Sequence, residues 1–192
     1  RRLAEILDRH TTRLENMAND LLDLHTIEAG RQDVEREPLR ADDLLQGVQD
    51  QFAPTAAERG LRLQSRAETG GSEILSDRTL LQLILRNLVD NALRFTPAGG
   101  EVEAVLAAAN DELVVRVRDT GVGIDPEVQH RVFERFFQAD PSRDGGRQAR
   151  GTGLGLAIVK HAAERLGGTV SLTSALGEGT TIEVRAPLRR SD

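Results

Sequence analysis

The centre of the sequence reads RTLLQLILRNLVDNALRFT from residue 78 to residue 96. Its apolar residues recur at helical spacing, so the stretch predicts an amphipathic helix over residues 78–95. Asp77 is suited to cap the start of this helix, and Pro97 ends it. The predicted apolar face consists of Leu81, Ile84, Leu85, Leu88 and Ala92.

Asn87 and Asn91 lie one helical turn apart in this stretch, although asparagine is a poor helix former. Their amides point the same way, and Arg94 follows about one turn later. An amide oxygen is a ligand for a hard cation such as Mg²⁺, and a guanidinium binds phosphate. The spacing is compatible with a site for a metal-bound phosphate, but taken alone it is more typical of two boundary asparagines on an ordinary amphipathic helix.

Helices and strands are predicted on both sides of the central helix. Their mixture, with strands that follow one another as hairpins, predicts an α/β fold. We expect a two-layer α/β sandwich, in which a mixed, largely antiparallel sheet packs on helices. The predicted elements are a helix over 41–60, a strand from 61, strands over 101–108 and 113–119, a helix over 154–166, and strands over 169–174 and 180–186.

The first 30 residues carry apolar residues at alternating steps of four and three, which is typical of a coiled-coil seam. We expect one long coiled-coil-type helix over residues 1–30 that pairs with another helix, since a lone helix cannot bury its seam. Residues 31–38 are predicted to link it to a globular domain over residues 39–189. The pattern begins in mid-helix without an initiator Met, which suggests a piece of a longer protein. The seam residues are Leu3, Leu7, His10, Leu14, Met17, Leu21 and Leu24.

Composition excludes several classes of function. Cysteine is absent, so disulfides, thiolate metal sites and cysteine nucleophiles are excluded. A formal net charge of -6 argues against nucleic-acid binding through bulk electrostatics. No stretch reaches the roughly 18 consecutive apolar residues of a membrane span, so we expect no membrane contact by this segment.

Asp119 ends the predicted strand 113–119, whose other inward positions are apolar. The strand thus brings a carboxylate to the edge of the core. Gly121 and Gly123 follow at once and let the backbone approach a flat ligand closely. Such a carboxylate is suited to accept a hydrogen bond from an exocyclic amine, as adenine would offer, while an ordinary strand-terminal turn is the alternative.

The run GTGLG at residues 151–155 leads straight into the helix predicted over 154–166. Free backbone N–H groups and the positive end of the helix dipole make it a candidate phosphate cradle. The run lacks the Gly-Lys-Ser/Thr ending of a Walker P-loop and does not follow a strand, as a Rossmann fingerprint must. Glycines that only relieve a tight entry into the helix are the alternative.

A long irregular segment, about residues 124–152, separates the two glycine clusters. Such a length inside a compact domain is unusual unless the segment works as a lid. Three of the five phenylalanines fall within it, at Phe133, Phe136 and Phe137. They are either core residues or a docking surface for another helix.

Together, in this order and spacing, these pieces resemble the ATP-binding catalytic domain of bacterial sensor histidine kinases, in the superfamily shared with gyrase, mismatch-repair and heat-shock chaperone ATPases. The likeness covers essentially the whole chain, because residues 20–24 and 27–30 resemble the end of the dimerisation and histidine-phosphotransfer hairpin. Residues 87–96 resemble the N box, 119–123 the first glycine box, 133–137 the F box, 151–156 the second glycine box, and 177–180 the closing glycine-threonine turn.

The resemblance implies that the chain binds ATP and Mg²⁺. Asn91 would hold the metal, with Asn87 and Arg94 near the phosphates. Phe95 would lie beside the nucleotide, and Asp119 would read the adenine amine. Gly121, Gly123 and Thr180 would line the base pocket, and Ile124 is also expected to contact the nucleotide. Arg143 of the lid would reach the terminal phosphate. The residues expected to follow the phosphates are Gly151, Thr152, Gly153, Leu154, Gly155 and Leu156.

The chain departs from this family at the phosphoacceptor box, a His followed by an acidic residue and then by a Pro, which is absent. His10 is followed by Thr11 and lies on the seam, so we interpret it as a packed polar residue. The resemblance therefore implies that this chain contains no catalytic histidine and that a hairpin helix elsewhere supplies the acceptor. We expect that the chain alone does not autophosphorylate.

Three functions are compatible with these motifs. The first is a protein-histidine kinase module of a two-component system, which transfers the γ-phosphoryl group of ATP to a histidine. The second is a conformational ATPase of the same superfamily. Those enzymes resemble one another in having a Glu, the base that activates water, where this chain has Asn87. An amide cannot accept a proton from water, so rapid hydrolysis is not expected. The third is a kinase-like scaffold without catalysis.

We expect the first of these functions. By the resemblance, the partners are the missing histidine hairpin helix, the receiver domain of a response regulator and a second copy of the parent protein. The expected location is the cytoplasm, where ATP is available, with or without a membrane anchor on the parent protein.

Overall fold

The computed structural model describes residues 2–28, 34–109, 111–138 and 151–188. Its helices and strands lie close to the positions that the sequence predicts. They are α1 (Arg2–Glu28), β1 (Glu37–Leu39), α2 (Ala41–Glu58), β2 (Arg62–Glu68), β3 (Ile74–Ser76), α3 (Arg78–Phe95), β4 (Glu101–Ala109), β5 (Glu112–Asp119), a 3-10 helix (Gln129–Arg131), α4 (Gly155–Arg165), β6 (Thr169–Ala175) and β7 (Gly179–Pro187).

Five strands form the main sheet in the order β2-β4-β5-β7-β6. β2 and β4 are parallel, while the other neighbouring pairs are antiparallel. The predicted two-layer α/β fold with a mixed, largely antiparallel sheet is therefore confirmed. The register also aligns three residues across the sheet, because Asp119 of β5 lies opposite Thr180 of β7, and Thr180 lies opposite Ser174 of β6.

Helices α2, α3 and α4 pack on one face of the sheet, with α3 against both of its neighbours. The apolar face predicted for α3 is buried in this layer. Each large aliphatic side chain that is fully buried contributes about 1.5–3 kcal/mol, so an aliphatic core with few aromatic residues is sufficient. The largest fully buried side chains include Leu81, Ile84, Leu85, Leu88, Leu106, Leu154 and Ile158.

β5 turns alternate side chains to the helix-covered core and to the opposite face of the sheet, where Val114 is also buried. Its outward residues form ion pairs with β7, such as the exposed pair of Glu112 with Arg185 (2.9 Å). Pairs of this kind contribute little to stability, so the apolar alternation sets the register of the strand. The inward residues are Leu113, Val115, Val117 and Asp119, all of which are buried.

The small sheet formed by β1 and β3 is not predicted from the sequence. The two strands pair antiparallel with Leu39 opposite Ile74, and both of these side chains are buried. Glu37 and Pro38 therefore belong to this sheet rather than to the predicted linker. Strands of three residues are too short to show the alternation from which strands are predicted.

α1 confirms the long helix predicted for the start of the chain, and its last turns pack on α4. Leu24 and Ile27 are buried there, whereas Leu14 and Leu21 are 68% and 44% exposed. Arg165 donates a hydrogen bond to the carbonyl oxygen of Ile27 (2.9 Å). The end of the seam thus contacts the globular domain, and the pairing of the remaining seam with another helix stays a prediction. Within the described ranges, no helix has an apolar stretch long enough to cross a lipid bilayer.

The carboxylate of Asp77 joins the start of α3 to the segment before β1. Its Oδ1 accepts the N–H of Leu80 (3.0 Å), and its Oδ2 accepts the N–H of Glu35 (3.1 Å). We expect Asp77→Ala to lower the free energy of unfolding by about 1–2 kcal/mol, because α3 loses its N-cap. Urea denaturation followed by circular dichroism measures this change.

The matched control is Asp43→Ala, because Asp43 is an exposed carboxylate in the first turn of α2. A surface substitution of this kind is expected to change the free energy of unfolding by no more than about 0.5 kcal/mol. Equal losses in the two variants would contradict the capping role of Asp77.

Candidate functional site

The side chain of Asp119 is held by the backbone at the end of β5, where the residue is only 8% exposed. Its Oδ1 accepts the N–H groups of Gly121 (2.8 Å) and Thr180 (3.2 Å). No residue in the described part of the chain donates a hydrogen bond to Oδ2. The carboxylate therefore has a fixed orientation and one oxygen with room for a further donor.

Burial raises the pKa of Asp119 above its ordinary value, because a carboxylate is poorly hydrated at this position. The hydrogen bonds from Gly121 and Thr180 favour the charged form and oppose this rise. A buried carboxylate that is destabilised in its charged form and has one open oxygen is typical of a binding group.

The loop after β5 packs backbone to backbone against its neighbours. A Cβ atom on Gly121 would lie 2.6 Å from the carbonyl oxygen of Phe95, and one on Gly123 would lie 1.9 Å from that of Ala175. Val122 donates its N–H to the same Phe95 oxygen (3.2 Å). Packing within the chain thus requires the glycines, and it brings the end of α3 beside the Asp119 loop.

Asn87 faces the first turn of α4. Its Nδ2 donates to the carbonyl oxygen of Leu83 (2.8 Å), and its Oδ1 would lie 3.1 Å from a Cβ atom on Gly155. Asn91 follows one turn later and is half-buried, and no described residue forms a hydrogen bond with its side chain. The structure thus brings Asn87 to the second glycine cluster and leaves the Asn91 amide open.

Arg94 brings a positive charge to the same glycine cluster. Its Nη2 donates to Oδ2 of Asp90 (2.6 Å), and the side chain is 25% exposed. Its Nη1 would lie 2.1 Å from a Cβ atom on Gly151. The ion pair with Asp90 therefore holds the guanidinium against the backbone of the loop.

The second glycine cluster enters α4 without a side-chain cap. The N-cap residue is Leu154, which is fully buried and makes no capping hydrogen bond. The first N–H groups of α4 consequently lack side-chain partners, and the positive end of the helix dipole lies beside them. Gly153 has a φ of 77° and packs on the backbone of Phe136, while Leu156 is half-buried. The geometry is that of an anion site on a loop anchored in the core.

The predicted F box contains no helix. Phe136 has a φ of 60° and is 57% exposed, whereas Phe133 and Phe137 are half-buried. The guanidinium of Arg131 lies 4.7 Å from the centre of the Phe137 ring. Residues 139–150, and with them Arg143, lie outside the described residues, so the role predicted for Arg143 stays a prediction.

A contact between α1 and the second glycine cluster is not predicted from the sequence. Thr152 donates its hydroxyl to Oδ2 of Asp20 (2.6 Å), and Asp23 pairs with Arg86 of α3. Burial raises the pKa of Asp20, while the hydrogen bond from Thr152 opposes the rise. No local pattern could reveal this contact, because Asp20 and Thr152 are 132 residues apart.

Ser174 also belongs to the site but is absent from the sequence-based prediction. Its Oγ lies 2.9 Å from Oγ1 of Thr180 and accepts the N–H of Ile124 (2.9 Å). A signal for it exists in the sequence, because Val170, Leu172 and Ser174 alternate onto one face of β6. A polar residue that ends an apolar face is the same feature that marks Asp119.

A separate polar cleft of about 490 Å³ lies between α2 and β2. None of the residues predicted to bind a ligand line it, so it is distinct from the candidate site. Its lining residues are Gln46, Gln49, Leu63, Gln64, Ser65, Arg66 and Glu103.

Comparison with known sequences identifies relatives of the chain. Residues 76–190 match the family described as histidine kinase-, DNA gyrase B-, and HSP90-like ATPase. An uncharacterized sensor-like histidine kinase of Rhizobium meliloti is 38% identical over 187 residues, which are 97% of this chain and 35% of that protein. The chain thus spans only about a third of the length of that relative.

Solved structures resemble the chain in fold. The full-length ShkA structure in complex with AMPPNP matches with a TM-score of 0.81 and 31% identity, over 93% of this chain and 36% of that one. The histidine kinase ThkA in complex with the response regulator protein TrrA matches with a TM-score of 0.72 and 20% identity, over 95% of this chain and 49% of that one.

Asp119→Asn preserves the shape of the side chain and can still accept both backbone hydrogen bonds, but it replaces an acceptor by an NH₂ group. If Asp119 reads the adenine amine as the resemblance implies, the affinity for ATP should fall at least about tenfold, because the new group and the amine are both donors. The affinity for GTP should fall much less, since the guanine oxygen can accept from the new amide. Isothermal titration calorimetry measures both affinities, and equal losses would indicate a purely structural Asp119.

The same variant tests the energetic consequence of burial. The pKa of Asp119 is raised in the folded protein, so ionisation of Asp119 lowers the free energy of unfolding. The wild type recovers this free energy when acidification protonates the carboxylate. Asp119→Asn should therefore raise the Tm near neutral pH, and this difference should shrink in acidic buffer. A lower Tm near neutral pH, measured by differential scanning calorimetry, would contradict this account.

Proposed function

The chain belongs to the family of histidine kinase-, DNA gyrase B-, and HSP90-like ATPases, and on that basis we propose that it is the ATP-binding catalytic module of a two-component sensor histidine kinase. It transfers the γ-phosphoryl group of ATP to a histidine outside this chain. The observation that carries the proposal is the position of two adjacent residues at the end of α3. Arg94 contacts the second glycine cluster, and Phe95 contacts the loop that follows Asp119.

This arrangement suits a nucleotide because it joins a base site and a phosphate site at one point of α3. The open oxygen of Asp119 accepts the adenine amine. The phosphates extend to Arg94 and to the uncapped start of α4, where charge-assisted hydrogen bonds bind anions well. The complex of the similar protein ShkA with AMPPNP, an ATP analogue, supports a nucleotide as the ligand.

Asn91 would hold Mg²⁺ through its amide oxygen. Among the described residues no group of three or more His, Asp or Glu side chains could hold a metal ion. Mg²⁺ commonly binds through one or two protein ligands, waters and the phosphates of its nucleotide, so a single open amide fits a metal that arrives with ATP. When bound, the ion neutralises the charge that develops as the γ-phosphoryl group departs.

The transfer forms a bond between an imidazole nitrogen of the acceptor histidine and the γ-phosphorus. The bond from that phosphorus to the oxygen that bridges to the β-phosphate breaks, and ADP leaves with the electron pair. The contribution of this chain is positioning and electrostatic stabilisation by Arg94 and the first N–H groups of α4.

Asn87 separates this proposal from a conformational ATPase. Its Nδ2 is bonded to the Leu83 carbonyl oxygen, and its Oδ1 faces the start of α4. A neutral amide there can orient a phosphate but cannot take a proton from water. Transfer to a histidine nucleophile, which needs no such base, is favoured over rapid hydrolysis.

In the parent protein, residues 1–30 form the second helix of a histidine-phosphotransfer hairpin, and the catalytic domain extends to about residue 189. The partners are the histidine-bearing helix of that hairpin, a second copy of the parent protein and the receiver domain of a response regulator, located in the cytoplasm. The fold likeness to ThkA in its complex with TrrA supports the last partner.

Asn91→Ala tests the metal site. Mg²⁺ should increase the ATP affinity of the variant much less than that of the wild type. We expect the difference between the two increases to be at least about tenfold, because the amide ligand is removed. Affinity for ATP without Mg²⁺ and the circular dichroism spectrum should remain unchanged. Asn19→Ala, an exposed position on α1, is the matched control. Calorimetric titration with and without Mg²⁺ reads the effect, and an unchanged metal-dependent gain would refute the assignment.

Phosphotransfer is tested with γ-labelled ATP and a separately supplied hairpin that carries the histidine box of this kinase family. We expect label on the hairpin that is stable in alkali and labile in acid, as for phosphohistidine, and little phosphate release when the hairpin is left out. Steady phosphate release without the hairpin would support the ATPase instead. Saturable ATP binding without either reaction would leave a scaffold.

A further inference from the structure

Three polar side chains form a row across the end of the main sheet. The register pairs Ser174 with Thr180 and Thr180 with Asp119, so the row runs over β6, β7 and β5. Paired residues of antiparallel strands point to the same face, and this face is the one that the helices cover. Thr180 and Asp119 are 9% and 8% exposed. The row therefore lies at the border of the core and includes Asp119, the acceptor that reads the base in the proposed function.

The hydroxyl of Ser174 lies at the centre of a hydrogen-bonded cluster. It accepts the N–H of Ile124 (2.9 Å), and its Oγ lies 2.9 Å from both the carbonyl oxygen of Gly179 and Oγ1 of Thr180. A serine hydroxyl has only one proton, so while it accepts the N–H of Ile124 it can donate either to Gly179 or to Thr180.

In the first arrangement Ser174 donates to Gly179, and Thr180 donates to Ser174. In the second arrangement Ser174 donates to Thr180 instead of Gly179, and the proton of Thr180 is free to point elsewhere. An acceptor atom of a ligand beside Asp119 favours the second arrangement, because Thr180 can then donate to it while still accepting from Ser174. Hydrogen bonds in such a chain strengthen one another.

The surrounding backbone keeps Ser174 in this place. Nε2 of Gln129 donates to the carbonyl oxygens of Ile124 (2.9 Å) and Ser174 (3.0 Å). The loop after Asp119 and the end of β6 are thus joined twice, once through the Ser174 hydroxyl and once through the Gln129 amide. The position of the hydroxyl is consequently set by two separate elements.

We propose that Ser174 is a positioning residue for adenine recognition, which holds the Thr180 hydroxyl beside the Asp119 carboxylate as a donor. The carboxylate accepts from the exocyclic amine of adenine, and the Thr180 hydroxyl donates to the neighbouring ring nitrogen N1. This acceptor–donor pair is complementary to adenine and mismatched to guanine, which has an oxygen and an N–H in the same two places. The inference rests on the proposed function, since it assumes that ATP occupies this site.

The test compares Ser174→Ala with the wild type for three nucleotides: ATP, 7-deaza-ATP, which retains N1, and 1-deaza-ATP, which lacks it. We expect the variant to bind ATP and 7-deaza-ATP about five- to tenfold more weakly, the usual effect of one hydrogen bond. It should bind 1-deaza-ATP as well as the wild type does, within about twofold, because no acceptor remains for Thr180. Calorimetric titration measures all six affinities.

Two further variants separate positioning from folding. Ser174→Thr retains the hydroxyl and should restore most of the ATP affinity. Ser171→Ala removes a hydroxyl from the exposed face of the same strand, where Ser171 donates to the Glu183 carbonyl oxygen at 3.4 Å, and should change no affinity.

An equal loss for all three nucleotides would show that Ser174 is only structural, and no loss at all would show that it is not part of the site. Either result would overturn this inference. The proposed function would remain intact if the wild type binds ATP and the Asp119→Asn variant binds it more weakly. A wild type that binds none of the three nucleotides would overturn both.

Discussion

Two backbone N–H groups hold one oxygen of the buried Asp119 carboxylate, and the geometry of the site depends on this interaction. One N–H belongs to Gly121 in the loop after β5, while the other belongs to Thr180 of β7, so the pair exists only in the observed register. A slip by one residue would turn Asp119 to the solvent and bring Arg118 to the core. The alternation that buries Leu113, Val115 and Val117 excludes this slip. Site and core are therefore specified by the same pattern.

The two ends of the site are held by different forces. Around Asp119 the backbone segments touch directly, as where a Cβ atom on Gly179 would lie 2.0 Å from the Asp119 carbonyl oxygen. Around the second glycine cluster, side chains contribute beside the backbone contact of Gly153, as where Gln138 donates to the Gly151 carbonyl oxygen (2.9 Å) and Arg94 lies against Gly151. Backbone contacts leave little freedom, whereas long side chains can change rotamer. The base end is thus set by the backbone, whereas side-chain rotamers also contribute to the shape of the phosphate end.

Charges of both signs meet at the phosphate end. Arg94 and the start of α4 attract an anion, while the carboxylate of Asp20 on α1 is bonded to Thr152 of the same loop. Burial raises the pKa of Asp20, so this carboxylate is already unfavourable in its charged form before a phosphate arrives. The last turns of α1 are consequently part of the electrostatic environment of the site.

Much of the fold could be predicted because its signals are local. The apolar face of α3, the alternation in β5 and the glycines after Asp119 each lie within one helix, strand or loop, and the structure confirms the helices and strands that they predict. The sheet of β1 and β3 could not be predicted, because strands of three residues carry no period. The order of the motifs along the chain also resembles that of a known family, and this resemblance assigned Asn87, Asp119 and the second glycine cluster to one nucleotide site.

The amino-acid sequence by itself determined which residues are polar at inward positions and which turns require glycine. Only the tertiary structure decided what those residues touch. The alignment of Ser174, Thr180 and Asp119 depends on the pairing of three strands, and the bond from Thr152 to Asp20 joins residues 132 positions apart. Periodicity reports the direction of a side chain relative to its own helix or strand. The partner on the other side depends on strand order and helix packing, which arise from the burial of the whole core.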